Sequence, residues 1–386
     1  MEGAGMRVEE VLKQLLEKEQ DSLTLMKKFV ETESFSHDKD GINKLVGILK
    51  KAFEVFPVEI QEVVEQEVGN HLKIEWGQGP RQITILSHLD TVYPRGTLES
   101  MPFRFEEGKV YGPGVYDMKA SYVMMYHLFN LLEEGSLPVD LKILWLLTSD
   151  EEVGSPHGKI HAMEEAARSE AVLVLEPSGH GGALKTARKG GGKFTVEVQG
   201  IAAHAGVNPE DGANAIEELC RQLIEITGFA APSIGTTINI GEIKGGTLFN
   251  VVPELASAEV DVRVLEHEEG ERVEQAFKNL SSFNTKTRLT VKGSMYRPPM
   301  PRSEETERLF HIASQVGKQL GLSLTEVTTG GGSDGNFAAS AGAPVLDGLG
   351  VVGGYAHSPD EYLWLDSLAE RTALLYGIIL SLAQNR

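Results

Sequence analysis

The stretch Leu144-Trp145-Leu146-Leu147-Thr148-Ser149-Asp150-Glu151-Glu152-Val153-Gly154-Ser155 constrains this chain more than any other. It begins as an unbroken apolar run, the pattern of a strand buried on both faces. It then breaks into three consecutive acids and a Gly-Ser-Pro turn. A buried strand that delivers Asp150, Glu151 and Glu152 to one place needs compensating charge, because an unpaired buried carboxylate is too costly to keep ionised. Metal ions are the strongest compensation; a strand that ends in a solvated acidic turn is the plainer alternative.

Two other apolar runs end in the same way. Gln82-Ile83-Thr84-Ile85-Leu86-Ser87-His88-Leu89-Asp90 closes on an imidazole and an acid, and Ala171-Val172-Leu173-Val174-Leu175-Glu176-Pro177 closes on an acid. Helical periodicity at 7–35, 41–56, 118–134 and 157–169 is interleaved with strands at 82–90, 139–148 and 171–177. A further stretch, 58–75, has strand patterning with charged interruptions. This alternation predicts an α/β fold, a mainly parallel sheet covered by helices on both faces. Ligands of such sheets collect at the carboxyl ends of the strands, where His88, Asp90, Glu151, Glu152 and Glu176 would converge.

The pattern changes at Arg188-Lys189-Gly190-Gly191-Gly192. Strand 193–199, helix 212–228, strands 236–244 and 254–265, helix 267–282 and strand 287–294 follow, the β-α-β-β-α-β order of a ferredoxin-like α+β domain. Arg297-Pro298-Pro299-Met300-Pro301 closes it, and signals of the first kind resume from Glu304. The chain is therefore expected to divide into a catalytic domain, 1–189 and 299–386, and an inserted domain, 190–298, with hinges where Gly and Pro cluster.

A net charge of -20 argues against a nucleic-acid-binding surface, which needs clustered Lys and Arg. It suits a soluble cytoplasmic protein. The single cysteine, Cys220, permits no intrachain disulfide. Among Ala215, Ile216, Leu219, Leu223 and Ile224 it reads as helix core rather than a nucleophile. No apolar run approaches the roughly 20 residues of a membrane span. The most apolar segment, Ala373 to Ala383, reads as a docked terminal helix, and the N-terminus lacks a signal-peptide core.

His88 and Asp90 are two apart on a strand end and so share a face. A metal-bound histidine usually donates its other ring N–H to a carboxylate, and Asp90 is a candidate for that partner; a surface histidine beside a turn is the alternative. In Tyr111-Gly112-Pro113-Gly114-Val115-Tyr116-Asp117-Met118-Lys119, Asp117 is either a helix N-cap or a carboxylate whose two oxygens bridge two cations. Gly348-Leu349-Gly350-Val351-Val352-Gly353 matches the dinucleotide fingerprint letter for letter, but a loop follows it where a helix should open. Gly192-Lys193 resembles the end of a P-loop, except that Phe194 replaces the Ser or Thr.

Together these pieces resemble the two-zinc exopeptidase and deacylase family that includes glutamate carboxypeptidase, aminoacylase, acetylornithine deacetylase and succinyl-diaminopimelate desuccinylase. Ser87-His88-Leu89-Asp90-Thr91-Val92, Gly112 to Lys119, Asp150 to Ser155, Glu176-Pro177, Gly200-Ile201-Ala202-Ala203-His204-Ala205-Gly206 and His357-Ser358-Pro359-Asp360-Glu361 occur in the family's order and span nearly the whole chain. The resemblance implies two Zn2+ per chain, with Co2+ or Mn2+ as substitutes. One would be held by His88 and Glu176, the other by Glu152 and His357, with Asp117 bridging and a cis peptide at Asp117-Met118. It also implies that Glu151 is the general base that takes a proton from water and passes it to the leaving nitrogen.

His204 would reach the partner subunit's active site and stabilise an oxyanion, which makes the inserted domain a lid and the dimerisation domain of a homodimer; a turn histidine is the alternative. Asn250, Arg263 and Arg297 look like substrate-side groups, the arginines suited to carboxylates or else to surface ion pairs. The segment Gly330-Gly331-Gly332-Ser333-Asp334-Gly335-Asn336, ahead of a helix at Phe337, offers backbone N–H groups, Gly331's among them, to an α-carboxylate. That segment most resembles the glutamate carboxypeptidase branch. The expected function is zinc-dependent cleavage of the amide next to a C-terminal amino acid in a small peptide, by a metal-bridged hydroxide. An N-acyl amino acid deacylase or desuccinylase is the alternative. A catalytically silent binding relative is a third reading, against which the intact metal and base positions argue.

Overall fold

The apolar run ahead of the three acids forms the strand Leu141–Thr148, in which every residue except Lys142 is buried. In the computed structural model, which describes residues 6–135 and 140–384, this strand lies inside a six-stranded sheet. Parallel to it runs Arg81–His88, and parallel to that runs Ala171–Val174, followed by the short edge strand Val345–Leu346. Its other neighbour, His71–Trp76, is antiparallel, as is the outermost strand Val58–Val63. The sheet is thus parallel in its core and antiparallel at one edge. The charged interruptions of 58–75 belong to that edge, where Glu59 is exposed to water.

Register places the chemistry. His88 pairs with Thr148, so the Asp150–Glu152 turn begins just beyond His88. Leu86 pairs with Val174, so Glu176 follows at the level of His88. The parallel arrangement brings three strand ends to one edge, as Ile, Val and Leu runs buried on both faces require.

The first compact unit comprises Met1–Thr186, Arg302–Thr328 and Ser333–Arg386. Its core joins the sheet to helices that include Glu19–Val30, Lys39–Phe53, Ala120–Glu134 and the terminal helix Leu365–Gln384. Trp145 is fully buried. Its ring lies 5.0 Å from that of Phe53 and 6.1 Å from that of Tyr122, and its indole N–H donates to Ser87 Oγ at 3.1 Å. No helix of the described residues is long and apolar enough to cross a membrane.

The second unit comprises Ala187–Pro301 and Thr329–Gly332. Its antiparallel sheet has the order Thr237–Gly245, Leu255–Val264, Gly190–Gln199, Arg288–Arg297. The helices Ala215–Thr227 and His267–Lys278 bury Leu219, Leu223, Ile226, Val273 and Phe277 with the sheet. Cys220, expected in this core, is exposed. The buried stripe of its helix runs through Ala215, Leu219, Leu223 and Ile226. One residue further on turns the side chain by about 100°, out of that stripe. The carboxylate of Glu218 is buried and accepts from the backbone N–H groups of Phe283 and Asn284, both at 2.9 Å.

Replacing Trp145 by Ala removes a fully buried side chain at the centre of the sheet. It should cost about 3–5 kcal/mol of stability, read as a lowered denaturant midpoint by circular dichroism. A loss under about 1 kcal/mol would mean that the site collapses around the missing ring.

Candidate active site

His88 ends its strand with the ring buried, and Nδ1 lies 2.9 Å from the backbone carbonyl of Asp90. That contact makes Nδ1 a donor, so Nε2 is the nitrogen turned to the acids and the one that would ligate once its proton is displaced. Nε2 lies 3.1 Å from Asp117 Oδ1 and 3.6 Å from Glu176 Oε1. The second imidazole, His357, projects from a residue at φ 63, in the left-handed region that few residues other than glycine adopt. Its Nε2 lies 3.3 Å from Asp117 Oδ2 and 3.1 Å from Glu152 Oε2. Asp117 thus presents one oxygen to each histidine. Within His88, Asp117 and Glu176, and again within Asp117, Glu152 and His357, the ligand atoms all lie within 4.8 Å of one another.

The donor set fits a pair of divalent cations. Ligand atoms about 2.0–2.1 Å from a tetrahedral zinc stand roughly 3.3 Å from each other. The four N–O separations of the cluster run from 3.1 to 3.6 Å. Among the described residues, Glu152 Oε1 is buried with no hydrogen-bond partner, which a cation would supply. Protons stand in for that charge here. Asp117 and Glu152 raise His357 to about 10. Burial works against a charge on His88, but Asp117, Asp90 and Glu152 outweigh it and hold the ring well above its ordinary value. Burial likewise raises Glu152.

The three successive acids have different neighbours. Asp150 turns away and caps the helix Gly158–Ala166, accepting from His157 N at 2.7 Å and from Gly158 N at 3.2 Å. Glu152 faces His357. Glu151 lies between them, half-buried. The turn itself is held by Asp90, whose Oδ1 accepts from Glu151 N and whose Oδ2 accepts from Glu152 N, both at 3.1 Å. Ser36 Oγ donates to the same Oδ2 at 2.8 Å. The Asp90 carboxylate, expected to hold the His88 ring, stands 3.6 Å from Nδ1; the backbone carbonyl of the same residue takes that role.

Asp117 is not a helix N-cap. The helix opens at Ala120, and the Asp117-Met118 peptide is cis. The loop is anchored by Glu361, fully buried, whose Oε1 accepts from Tyr116 N at 2.8 Å and Asp117 N at 3.0 Å. Tyr93 OH donates to its other oxygen. Burial pushes Glu361 up to about 7. In sequence Glu361 is only the last letter of the His357-Ser358-Pro359-Asp360-Glu361 motif. An acid in so short a loop, followed at once by the strand Tyr362–Trp364, was the available signal. The dinucleotide-like glycines have a packing reason: a Cβ on Gly350 would stand 2.4 Å from Leu175 O and 2.7 Å from Glu176 O.

His204, Asn250, Arg263, Arg297 and Gly331 belong to the second unit. His204 is exposed, and its Nδ1 accepts from Gly206 N at 3.1 Å, which leaves the proton on Nε2. Its backbone bridges to Val251, and Ala205 N donates to Asn250 O at 3.0 Å, so the His204 and Asn250 loops are joined. Arg263 is paired with Asp261, Nε–Oδ2 3.1 Å and Nη2–Oδ1 3.0 Å, the ion-pair alternative. Arg297 is buried, its stem against Gly332, where any Cβ would stand 2.3 Å from Cδ. Gly331 and Gly332 offer their carbonyls to Arg188 Nη1, both at 3.0 Å. In the first unit, the helix expected at Phe337 opens at Asp334 and is capped by Ser333, whose Oγ accepts from Gly335 N at 3.0 Å. That hydrogen bond uses an N–H that an anion would need.

Comparisons with known proteins point to one family. Residues 84–381 match the profile of peptidase family M20/M25/M40. Carboxypeptidase G2 of Pseudomonas sp. (strain RS-16) is 30% identical over 376 residues, 94% of this chain and 89% of its own. The succinyl-diaminopimelate desuccinylase of Xylella fastidiosa (strain M12) is 30% identical over 329 residues, 79% of this chain and 84% of its own. Among solved structures, the aminopeptidase PepT of Bacillus cereus ATCC 10987 superposes with a TM-score of 0.82 at 23% identity, covering 95% of this chain and 99% of that one. The YXEP protein of Bacillus subtilis, described as a dinuclear metal-binding peptidase of family M20, superposes with a TM-score of 0.66 at 14% identity over 95% and 99%.

Because both histidines are held protonated when no cation is bound, ion uptake near pH 7 must displace protons. We expect at least about one proton released per ion, and affinity rising about tenfold per pH unit for each proton displaced. Titration of metal-free protein in weak buffer measures this. Uptake without proton release would show that the ions bind elsewhere.

Proposed function

The chain belongs to peptidase family M20/M25/M40, and we propose that it is a two-zinc carboxypeptidase of glutamate carboxypeptidase type, cutting the amide next to a C-terminal amino acid. The observation that carries this reading is a single carboxylate, Asp117, shared by two imidazole–carboxylate triads with Glu151 beside them. His88, Glu176, Glu152 and His357 would hold the ions, and Asp117 would bridge them. When bound, such a pair supplies the positive charge that polarises a scissile carbonyl and acidifies water.

The chain's own residues would do the rest. Asp90 fixes the backbone of Glu151 and Glu152, so the Glu151 carboxylate is presented from a held turn. Glu151 accepts the proton of the attacking water and hands it to the departing nitrogen, which balances the step. His204, with its proton on Nε2, is the donor proposed for the oxyanion, acting in the partner subunit of a homodimer. The exposed apolar side chains around it, Val207, Leu248 and Phe249, support an interface there. In this reading the second unit is a ferredoxin-like lid and dimerisation domain. Its element order supports that, and Asn250 and Arg297 are its substrate-side candidates.

Deacylation of an N-acyl amino acid is the second reading, favoured by the desuccinylase likeness. Hydrolysis of peptides ending in glutamate, of dipeptides, and of N-acetyl and N-succinyl amino acids separates the two. A preference for the peptides supports the first, and a preference for the acyl amino acids replaces it with the second. Glu151→Gln should lower kcat by about 10²–10⁴ with metal content unchanged; near-normal turnover would remove Glu151 as the base. His204→Ala and Glu151→Gln chains, each inactive alone, should regain partial activity as mixed dimers. Confirmed heterodimers that stay inactive would rule out action across the interface.

A further inference from the structure

A second group of imidazoles lies in the first unit, on segments that carry none of the residues assigned above. Glu65 sits in the loop between the two antiparallel edge strands, and His71 opens the inner of them. His157 and His161 are four apart at the start of the helix Gly158–Ala166, a spacing that stacks them on one face. His71 Nε2 and His161 Nε2 each lie 3.7 Å from Glu65 Oε1. His157 Nδ1 lies 3.4 Å from the other oxygen, Oε2. The rings of His71 and His161 meet edge to face with centroids 5.3 Å apart.

These separations are too long for hydrogen bonds. They are close to the roughly 3.3–3.4 Å edge of a zinc tetrahedron. The His71 side chain is wholly buried, and among the described residues its Nε2, aimed at Glu65, has no hydrogen-bond partner. His161 Nδ1 is also buried without one, with Glu164 Oε2 3.9 Å behind it. Glu65 is positioned through its backbone, since Glu65 N donates to Asn70 Oδ1 at 3.1 Å and Lys39 Nζ donates to Glu65 O. Its carboxylate is left facing the histidines.

The tautomer of His71 decides whether the group can ligate. Its Nδ1 lies 3.0 Å from both the backbone N and the Oγ of Ser149. Ser149 Oγ gives its own proton to Gly69 O and so can accept one from Nδ1–H. That tautomer leaves a lone pair on Nε2. Without an ion Nδ1 accepts from Ser149 N–H, which puts the proton on Nε2; an ion at Nε2 would displace that proton, and Nδ1 would turn donor to Ser149 Oγ.

We propose that Glu65, His71 and His161, with His157 as fourth donor, form a further metal site for a zinc-class ion. Three imidazoles and one carboxylate suit Zn2+, Co2+ or Ni2+ and not Mg2+ or Ca2+. Glu65, His71 and His161 have ligand atoms within 4.8 Å of one another; with His157 drawn in from the other oxygen of Glu65, four protein donors would close the coordination sphere, the mark of a structural ion. It would clamp the 64–71 loop to the helix that Asp150 caps, and so brace the turn carrying Glu151 and Glu152.

The test is zinc stoichiometry after equilibrium dialysis of the full chain. Asp117→Asn disables the shared pair, and one zinc should remain. Adding His161→Ala, or His157→Gln as a second variant, should remove it. Loaded with Co2+, the Asp117→Asn protein should show the visible absorption of one tetrahedral ion, lost with His161. The proposal is overturned if His161→Ala keeps the full zinc complement of the unaltered chain, or if Asp117→Asn retains none. Failure of the Asp117 pair alone would appear as missing zinc that does not depend on His161, so the two readings fail separately.

Discussion

Two imidazoles from opposite ends of the chain turn their Nε2 atoms onto the two oxygens of Asp117. That carboxylate can serve both only if its backbone does not move, and the surrounding structure is built to that end. The N–H groups of Asp117 and of its neighbour Tyr116 both end on Glu361, which is itself gripped by Tyr93. Gly114, at φ 71, lets the loop turn where a Cβ would stand 2.6 Å from the Thr91 side chain. Lys119, buried two residues on, donates to Thr32 O at 2.7 Å. Removing any of these leaves the ligand letters intact but loosens the distances on which shared coordination depends.

The same logic divides the labour of Asp150, Glu151 and Glu152. After a buried strand the chain makes one tight turn, with Gly154 at φ 93 and Ser155 N returning to Asp150 O at 2.8 Å. Three successive side chains on such a turn must point in three directions. One caps a helix, one meets His357, and the one between them is the candidate base. A carboxylate from another strand, Asp90, ties down the two N–H groups of the turn. An acidic triplet is therefore not a triple ligand. It is one ligand and one candidate base, placed by a third acid that fixes where the following helix begins.

Much of this was legible before any coordinates, because parallel pairing turns periodicity into position. Runs ending at His88, Glu152 and Glu176 had to end together once the strands between them were parallel. What escaped was whatever depended on a few tenths of a turn or on a partner remote in sequence. Cys220 sits one residue off its helix's buried stripe. Arg263 meets Asp261, two residues away on its own strand, and no pattern distinguishes that from a group waiting for substrate. Asp90 and the His88 ring are neighbours as expected, but the backbone carbonyl, invisible to any reading of side chains, takes the contact. Glu361 has no special letter; its burial under the Asp117 loop makes it matter. Glu65, His71, His157 and His161 fall on a loop, a strand and a helix, and only the antiparallel edge of the sheet brings them together.

Charge explains why cations rather than further basic side chains complete the site. Asp90, Asp117, Glu152, Glu176 and Glu361 crowd one end of the sheet, all largely out of water. The basic groups facing them are His88, His357 and Lys119. Burial already pulls Lys119 down to about 7, so it carries only part of a charge under ordinary conditions. Burial raises Glu152 and Glu361 and so trims their charge, yet two histidine protons still fall short of the carboxylates that remain, and a hydrogen-bond donor brought to Glu152 Oε1 would add no charge. A divalent ion at each triad supplies four positive charges and leaves both imidazoles neutral, which is the form in which they ligate. The cluster therefore favours divalent ions through the number and placement of its buried acids, and the two histidines fix where those ions can sit.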